Sequence, residues 1–153
     1  MGYVEQNLMP GEEITYRTHL HWVIYAGPLL VGALGVLLLL CSVYWAGLPL
    51  ASLGGLLLLA AAGLAVGRWI VARTSEFAVT NKRVIIKRGL VRRHTLELLL
   101  TKVESIGVDQ GIAARLFGYG SIVVIGTGGT RESFDNIARP LEFRKQVQAQ
   151  AAA

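Results

Sequence analysis

The chain from Trp22 to Gly67 is almost entirely apolar, and no Asp, Glu, Lys or Arg occurs in it. A bilayer core about 30 Å thick needs roughly 20 apolar helical residues, so this segment is long enough to cross twice. One long buried helix of a soluble protein is the alternative, but the remaining residues could not cover it. The pattern therefore predicts a hairpin of two membrane-spanning helices.

Helix-breaking and interfacial residues mark the limits of this hairpin. Spans at about residues 21–45 and 49–71 are separated by Gly47 and Pro49, because Gly and Pro interrupt helices. Trp and Tyr settle at the headgroup level, and Arg near the end of a span reaches toward water. The predicted interfacial anchors are Trp22, Tyr25, Tyr44, Trp45, Arg68 and Trp69.

Small residues recur along the second span at a spacing close to four. Such a ridge allows two helix backbones to approach closely. It either seats the first helix of the hairpin or contacts another copy of the chain, and we favour the first interpretation. The members of this small-residue ridge are Gly47, Ala51, Gly55, Gly63 and Gly67.

After Arg73 the chain changes to short runs of alternating apolar and polar residues, which is typical of antiparallel β-structure. Asn81 and Lys82 are predicted to form a two-residue hairpin turn with Asn81 at positive φ, and Gly126–Gly129 a second turn. The predicted strands cover residues 76–80, 83–87, 92–100, 103–108, 121–125 and 130–134.

Two helical segments accompany these strands. Residues 111–118 are predicted to form a brief helical turn that docks Leu116 and Phe117 on the sheet. A helix that begins at Pro140 would plug an open end of the sheet with its apolar side. That apolar side consists of Leu141, Phe143 and Val147.

The elements together predict a small antiparallel β-barrel or sandwich of six to seven strands, capped by a C-terminal α-helix. This β-domain would follow the transmembrane hairpin and occupy residues 73–153. The hairpin would occupy residues 21–72, and residues 1–20 would be a separate N-terminal segment.

Charge is distributed unevenly along the chain. Residues 68–153 contain fourteen of the 15 Lys and Arg but only seven of the 10 acids. Such a basic domain favours anionic phospholipid headgroups such as phosphatidylglycerol or cardiolipin, although a generic basic surface is an equal alternative. The turn between the spans carries no charge, whereas Arg68 and Arg73 follow the second span, so both termini are predicted to be cytoplasmic.

The densest basic region lies at residues 82–93, which include no acid. Several of these cations can share one edge of the sheet, and each contributes about 1 kcal/mol beside an anionic bilayer. Alternatively, they keep the strand edges soluble. Nucleic acid is disfavoured because no aromatics are interleaved for stacking. The members of this basic edge are Lys82, Arg83, Lys87, Arg88, Arg92 and Arg93.

Residues that could carry chemistry are few. Cys41 is the single cysteine and lies within the first span, so an intrachain disulfide is impossible. The histidines are His19, His21 and His94, and their spacing fits no helical zinc motif. We therefore expect no metal, no cofactor and no catalytic residues.

Short motifs along most of the chain resemble the bacterial pleckstrin-homology (PH) domains found in small membrane proteins. The motifs are Thr80–Ile85, Gly89-Leu90, Leu98–Ile106, Arg115–Ile122 and, before the hairpin, Asn7–Glu13 followed by His21-Trp22. The resemblance implies a PH-like fold with a membrane anchor, in a family not known as enzymes.

The sequence thus predicts a non-enzymatic PH-like module at the cytoplasmic face of the bacterial inner membrane. Its expected partners are membrane lipids and either a protein or further copies of the chain, without nucleic acid. The alternative function is the binding of anionic headgroups through the basic edge.

Overall fold

The computed structural model describes residues 3–44, 47–89, 94–129 and 131–152. These residues form two compact units. The hairpin unit is Trp22–Ile70, and the β-unit combines Met1–His21 with Val71–Ala153. The chain therefore starts in the β-unit, passes through the hairpin unit and returns.

Two long apolar helices are followed by two antiparallel sheets and a C-terminal helix, as in a PH-like fold, and this confirms the predicted fold class. The elements in chain order are α1 (Tyr3–Gln6), β1 (Ile14–Thr18), α2 (Ala26–Tyr44), α3 (Leu48–Thr74), β2 (Glu76–Thr80), β3 (Arg83–Arg88), β4 (His94–Leu99), β5 (Val103–Asp109), α4 (Ile112–Phe117), β6 (Tyr119–Gly126), β7 (Arg131–Ala138) and α5 (Pro140–Ala151).

Both helices of the hairpin unit are long enough to cross a bilayer. The first comprises 23 residues when the 3-10 turn before α2 is included, and α3 comprises 27. Gly47 separates them at φ 57°, a conformation that glycine adopts without strain. The hydroxyl groups of Ser42 and Ser52 donate to backbone carbonyl groups of Leu39 and Pro49 in their own helices. The serines therefore place no unpaired donor in an apolar surrounding.

The two helices pack through small residues. A Cβ atom on Gly54 would lie 2.9 Å from the carbonyl oxygen of Gly35, so neither position has room for a side chain. On the predicted small-residue ridge, by contrast, Gly55, Gly63 and Gly67 have open space where a Cβ atom would stand. These three positions of the ridge therefore make no close contact with α2, and that the ridge seats the first helix stays a prediction. The contact uses the face of α3 that contains Gly54.

The β-unit contains a four-stranded sheet, β1-β2-β3-β4, and a three-stranded sheet, β5-β6-β7. β1 precedes the hairpin in sequence, yet it pairs antiparallel with β2, with Arg17 opposite Ala78. Residues 1–20 thus belong to the same compact unit as the later strands, which differs from the expected separate segment.

The residues just after β1 join the two sheets. The Thr18 hydroxyl donates to the carbonyl oxygen of Ala138 at 2.7 Å, and the Ala138 amide donates to that of His19 at 3.0 Å. The amide of His21 donates to the carbonyl oxygen of Asn136 at 2.7 Å. Together with a single β-bridge between Leu20 and Ile137, these bonds bring the end of β1 beside β7, so the two sheets follow one another in the order β4-β3-β2-β1 and β7-β6-β5. In this open barrel, β4 and β5 are the two edges.

Apolar residues of β2 and β3 are buried on both faces of their sheet. On the inner face Phe77 meets Phe134 edge to face, with ring centroids 6.2 Å apart. On the outer face the N-terminal residue Val4 covers Ala78 and Ile85. The N-terminal segment therefore completes the core, which explains why both strands are nearly continuous apolar runs rather than alternating ones.

α5 closes one end of the barrel as predicted, because Phe143 and Val147 are fully buried. Leu141 was expected to join them, but it is 51% exposed. Pro140 occupies the first turn of the helix, and Arg139 before it has φ 50°. The helix therefore turns Leu141 away from the core.

α4 forms where the helical turn was predicted, but its apolar side chains do not dock on the sheet. Leu116 is 80% exposed and Phe117 is 52% exposed. Only Ala114 of this helix is buried, and Gly118 ends the helix at φ 75° after six residues. So short a helix contacts the barrel through one small residue and leaves its larger side chains outside.

The connection between β2 and β3 contains the predicted two residues, but Asn81 does not adopt a positive φ. Its side chain instead bonds to the N-terminal segment. The Asn81 side chain accepts from the Glu13 amide at 3.0 Å and donates to the carbonyl oxygen of Gly11 at 3.2 Å. The asparagine is thus used for its hydrogen bonds.

Candidate functional site

The basic edge is the principal candidate site from the sequence, and its central member is buried. The Arg83 guanidinium binds the Glu12 carboxylate through two hydrogen bonds, of 2.9 Å and 3.0 Å. It also donates to Glu97 and to the backbone carbonyl oxygen of Asn7. Arg83 therefore links β3 to β4 and to the N-terminal segment.

Glu12 is the acidic partner at the centre of this cluster. Its carboxylate accepts hydrogen bonds from Arg83, from the Thr80 hydroxyl and from the Met9 amide. Burial raises the pKa of Glu12, but these hydrogen bonds and the Arg83 charge together lower it below its ordinary value. The bond to Glu12 in turn raises the pKa of Arg83, although burial opposes this. Both groups therefore remain charged at neutral pH.

Two further members of the basic edge also contact the N-terminal segment. Lys82 donates to the carbonyl oxygen of Pro10 at 2.7 Å. The Lys87 ammonium lies 4.8 Å from the centre of the Tyr3 ring and 4.0 Å from the Glu76 carboxylate. These cations hold the N-terminal segment on the sheet. The sequence alone did not indicate this role, because the contacting residues are more than 70 positions apart.

Arg88 is half-buried and forms no ion pair with the residues that the structure describes. Arg92 and Arg93 lie outside the described residues. The six predicted cations are thus not brought together as one free surface within the described part of the chain. Three of the four described members bind the N-terminal segment instead.

The predicted interfacial anchors lie in the hairpin unit. Trp22, Tyr44 and Trp69 have 53% to 84% of their surface exposed, as membrane-facing rings would. Tyr25 is half-buried and Arg68 exposed, while Trp45 lies outside the described residues.

Two barrel edges are available for contacts. β5 pairs only with β6, and β4 only with β3, within the described strands. Along β5, Glu104 and Ser105 are exposed while Ile106 and Val108 are half-buried. A strand with one unpaired backbone edge and partly exposed apolar side chains can accept another strand. The described residues include no group of three or more His, Cys, Asp or Glu that could hold a metal ion.

A family model described as "Bacterial PH domain" matches residues 23–151. The chain belongs to the bacterial PH domain family. The UPF0699 transmembrane protein YdbT of Bacillus subtilis (strain 168) is 28% identical over 59 residues, a segment that covers 37% of this chain and 12% of that protein. The chain thus matches only a small part of that relative. No solved structure matches the chain.

Membership of the bacterial PH domain family and the two apolar helices identify a membrane-associated PH-like module. PH domains are generally non-catalytic binding modules. The family match begins at residue 23, whereas the bacterial PH domain of this chain also uses β1 and the residues before it. The residues before the hairpin are therefore part of the fold that presents any binding surface.

Proposed function

We propose that the chain is a non-enzymatic binding module at the cytoplasmic face of the bacterial inner membrane, where its open barrel edges bind a partner protein or a second copy. The observation that carries this proposal is that the four-stranded sheet ends at β4 and the three-stranded sheet at β5, each with one paired neighbour among the described strands. An added strand would pair with the free backbone groups of an edge, and its side chains would set specificity.

The fold and the charge support the proposed orientation. Both connections to the hairpin unit start from the β-unit, because β1 and β2 are neighbours in one sheet. Two crossings return the chain to the side where it began. The Arg and Lys residues that follow the second span favour the cytoplasm as that side.

The edge contact is tested with a photocrosslinking amino acid at an exposed position of β5, Glu104, in the full chain in native membranes. The control probe replaces Gln148, which is exposed on α5. We expect the probe at residue 104, and not that at residue 148, to give one discrete crosslinked product. Two differently tagged copies distinguish a second copy from a partner protein.

A chain that is monomeric in mild detergent and gives no discrete product from residue 104 would contradict the edge proposal. The same outcome at both probes would also contradict it, because random collision does not depend on the edge.

Headgroup binding by the basic edge is the second candidate, and Arg88 supports it as a described cation without an ion pair. Replacement Arg88→Gln should then weaken the association of the β-unit with anionic bilayers, and more so at low salt. The buried neighbour Arg83 is unsuitable for this test because its loss would unfold the site.

A further inference from the structure

The β-unit exposes several large apolar side chains on α4 and at the start of α5. Ile112 is 93% exposed, Leu116 80%, Phe117 52% and Leu141 51%. Residues 112 and 116 are one helical turn apart, so they lie on the same face of α4. This contrasts with the barrel interior, where Ile122 and other apolar residues are fully buried.

Cations accompany these apolar side chains. Arg115 and Arg139 are exposed and line a shallow groove of about 450 Å³ beside Leu141. Neither arginine forms an ion pair with another described residue. The groove also contains Glu142, whose carboxylate accepts a hydrogen bond from Gln146 at 2.9 Å. Apolar side chains beside unpaired guanidinium groups match a lipid interface, where acyl chains and phosphates lie next to each other.

The chain itself ties this region to the membrane. The His21 ring stacks on the Tyr119 ring with centroids 5.1 Å apart, and His21 hydrogen-bonds to the backbone of Phe117. The next residue, Trp22, begins the first membrane-length helix. Consecutive Cα atoms are about 3.8 Å apart, so the end of α4 is fixed close to the point where the chain meets the bilayer.

We propose that these residues form a membrane rim that inserts into the headgroup region of the bilayer in which the chain is anchored. The membrane rim consists of Ile112, Arg115, Leu116, Phe117, Arg139 and Leu141. Its apolar side chains enter the boundary between headgroups and acyl chains, and its two arginines bind lipid phosphates. A surface held beside the bilayer by its own chain needs little intrinsic affinity, because its effective concentration there is high.

This proposal differs from binding by the basic edge, since it uses other residues and joins apolar insertion to charge. It also differs from the proposed edge contact, because α4 is not part of β4 or β5. Insertion of the membrane rim would fix the orientation of the barrel edges relative to the bilayer. The two proposals can therefore fail separately.

The test places a fluorescent, environment-sensitive label on Leu116→Cys in the full chain, in a Cys41→Ala background. The chain is reconstituted in phosphatidylcholine vesicles with or without phosphatidylglycerol, and lipids with a nitroxide near the headgroup quench the label. The matched control is Thr127→Cys, exposed at the opposite end of the eight-residue strand β6. At about 3.3 Å per residue, the strand that lies between the two positions is roughly 26 Å long.

We expect the label at residue 116 to be quenched severalfold more strongly than that at 127, and to emit at shorter wavelength. Equal quenching at both positions would overturn the proposal. Shielding of the label at 116 that increases with the protein-to-lipid ratio, without quenching by the nitroxide, would show a second copy on this surface and would also overturn it.

The arginines are tested by combining Arg115→Gln with Arg139→Gln. We expect phosphatidylglycerol to increase quenching at residue 116 in the parent chain. In the double variant, quenching at residue 116 should be the same with and without phosphatidylglycerol. Arg88→Gln should leave the effect intact. If Arg88→Gln abolished it while the double variant did not, the basic edge would orient the domain, and the role of the membrane rim would be refuted.

Discussion

The hairpin unit and the β-unit use the same apolar residue types with opposite exposure. Leu30 and Leu59 in the hairpin unit are 72% and 74% exposed, whereas Ile85 and Ile86 in the β-unit are fully buried. The exposed leucines of the hairpin suit a surrounding of lipid, in which a helix can remain because it pairs its own backbone groups. The isoleucines of the strands are instead removed from water by the core of the β-unit. The contrast teaches that each region is folded for a different solvent.

The two units also differ in how they use charge. The hairpin segment from Trp22 to Gly67 contains none. The β-unit buries the charged pair of Glu12 and Arg83 with its hydrogen bonds satisfied. The hairpin is thus specified by a long local pattern, whereas the β-unit depends on contacts between residues on either side of that hairpin.

The largest expected effect comes from Glu12→Ala, which leaves the buried Arg83 without its main partner. Breaking a buried ion pair costs about 3–5 kcal/mol, so the free energy of unfolding of the β-unit should fall by that amount. Denaturant unfolding in detergent micelles, followed by near-UV circular dichroism, measures it. The control is Arg17→Ala, which breaks a half-exposed pair with Glu5 and should cost about 1 kcal/mol or less.

An equal decrease in the free energy of unfolding for Glu12→Ala and Arg17→Ala would contradict this account, because the buried ion pair would then stabilise the β-unit no more than the exposed one. Glu12→Leu combined with Arg83→Met provides a further check. This pair of apolar replacements should recover much of the loss, since no buried charge remains unpaired.

In the hairpin unit, Gly54→Ala should disrupt packing between the helices and its neighbour Gly55→Ala should not. A Cβ atom on Gly54 would meet the Gly35 carbonyl oxygen and the Leu39 side chain at 2.9 Å, whereas Gly55 faces open space. Overpacking costs about 1–3 kcal/mol, while alanine for glycine in an open helical site favours the helix by about 1 kcal/mol. Energy transfer between labels on α2 and α3 during detergent denaturation reports both.

If Gly55→Ala separated the helices as strongly as Gly54→Ala, the helix contact would involve the small-residue ridge after all. If Gly55→Ala instead weakened only the contact between two copies of the chain, the small-residue ridge would be the surface through which the copies associate.

Acid should weaken the β-unit through Glu12. Its folded pKa lies below the ordinary value of 4.5, so its stabilisation is fully present above that value and is lost as pH falls through the folded pKa. The melting temperature should therefore fall more steeply in the parent chain than in Glu12→Gln between about pH 5 and about pH 3. Parallel curves for the two chains would exclude Glu12 as a source of the dependence.

The smallest effect concerns Asn81, whose side chain bonds to Gly11 and Glu13. Loss of these exposed bonds in Asn81→Ala should cost about 1 kcal/mol. Because φ at residue 81 is not positive, Asn81→Gly should be no more stable than Asn81→Ala. A glycine variant as stable as the parent chain would show that the turn, and not the hydrogen bonds, requires this residue.

The elements with strong local patterns were predictable from the sequence. The charge-free segment indicated the two spans, and the apolar runs indicated most of β2, β3 and β6. β1 was missed because Ile14–Thr18 is short and its partner Phe77–Thr80 lies beyond the entire hairpin. The alternation of Ile14 and Tyr16 with polar residues was the one signal that could have found it.

The candidate sites were harder to predict because they depend on distant contacts. Counting Lys82 and Arg83 as surface cations ignored the N-terminal acid and carbonyl groups that bind them. Leu116 and Phe117 were assigned to the core because they are apolar, but a six-residue helix with one buried position cannot dock them. The face of α3 at Gly54 could not be distinguished from that at Gly55 without the partner helix.

The central claim is that the hairpin crosses the bilayer twice while the segments before and after it fold together on the cytoplasmic side. Single cysteines at Glu13, Leu48 and Gln148, each in the Cys41→Ala background, test it with a membrane-impermeant maleimide on intact spheroplasts. We predict labelling at residue 48 only, and labelling at 13 and 148 only after the membrane is opened. Labelling at residue 13 or 148 before that step would contradict the account.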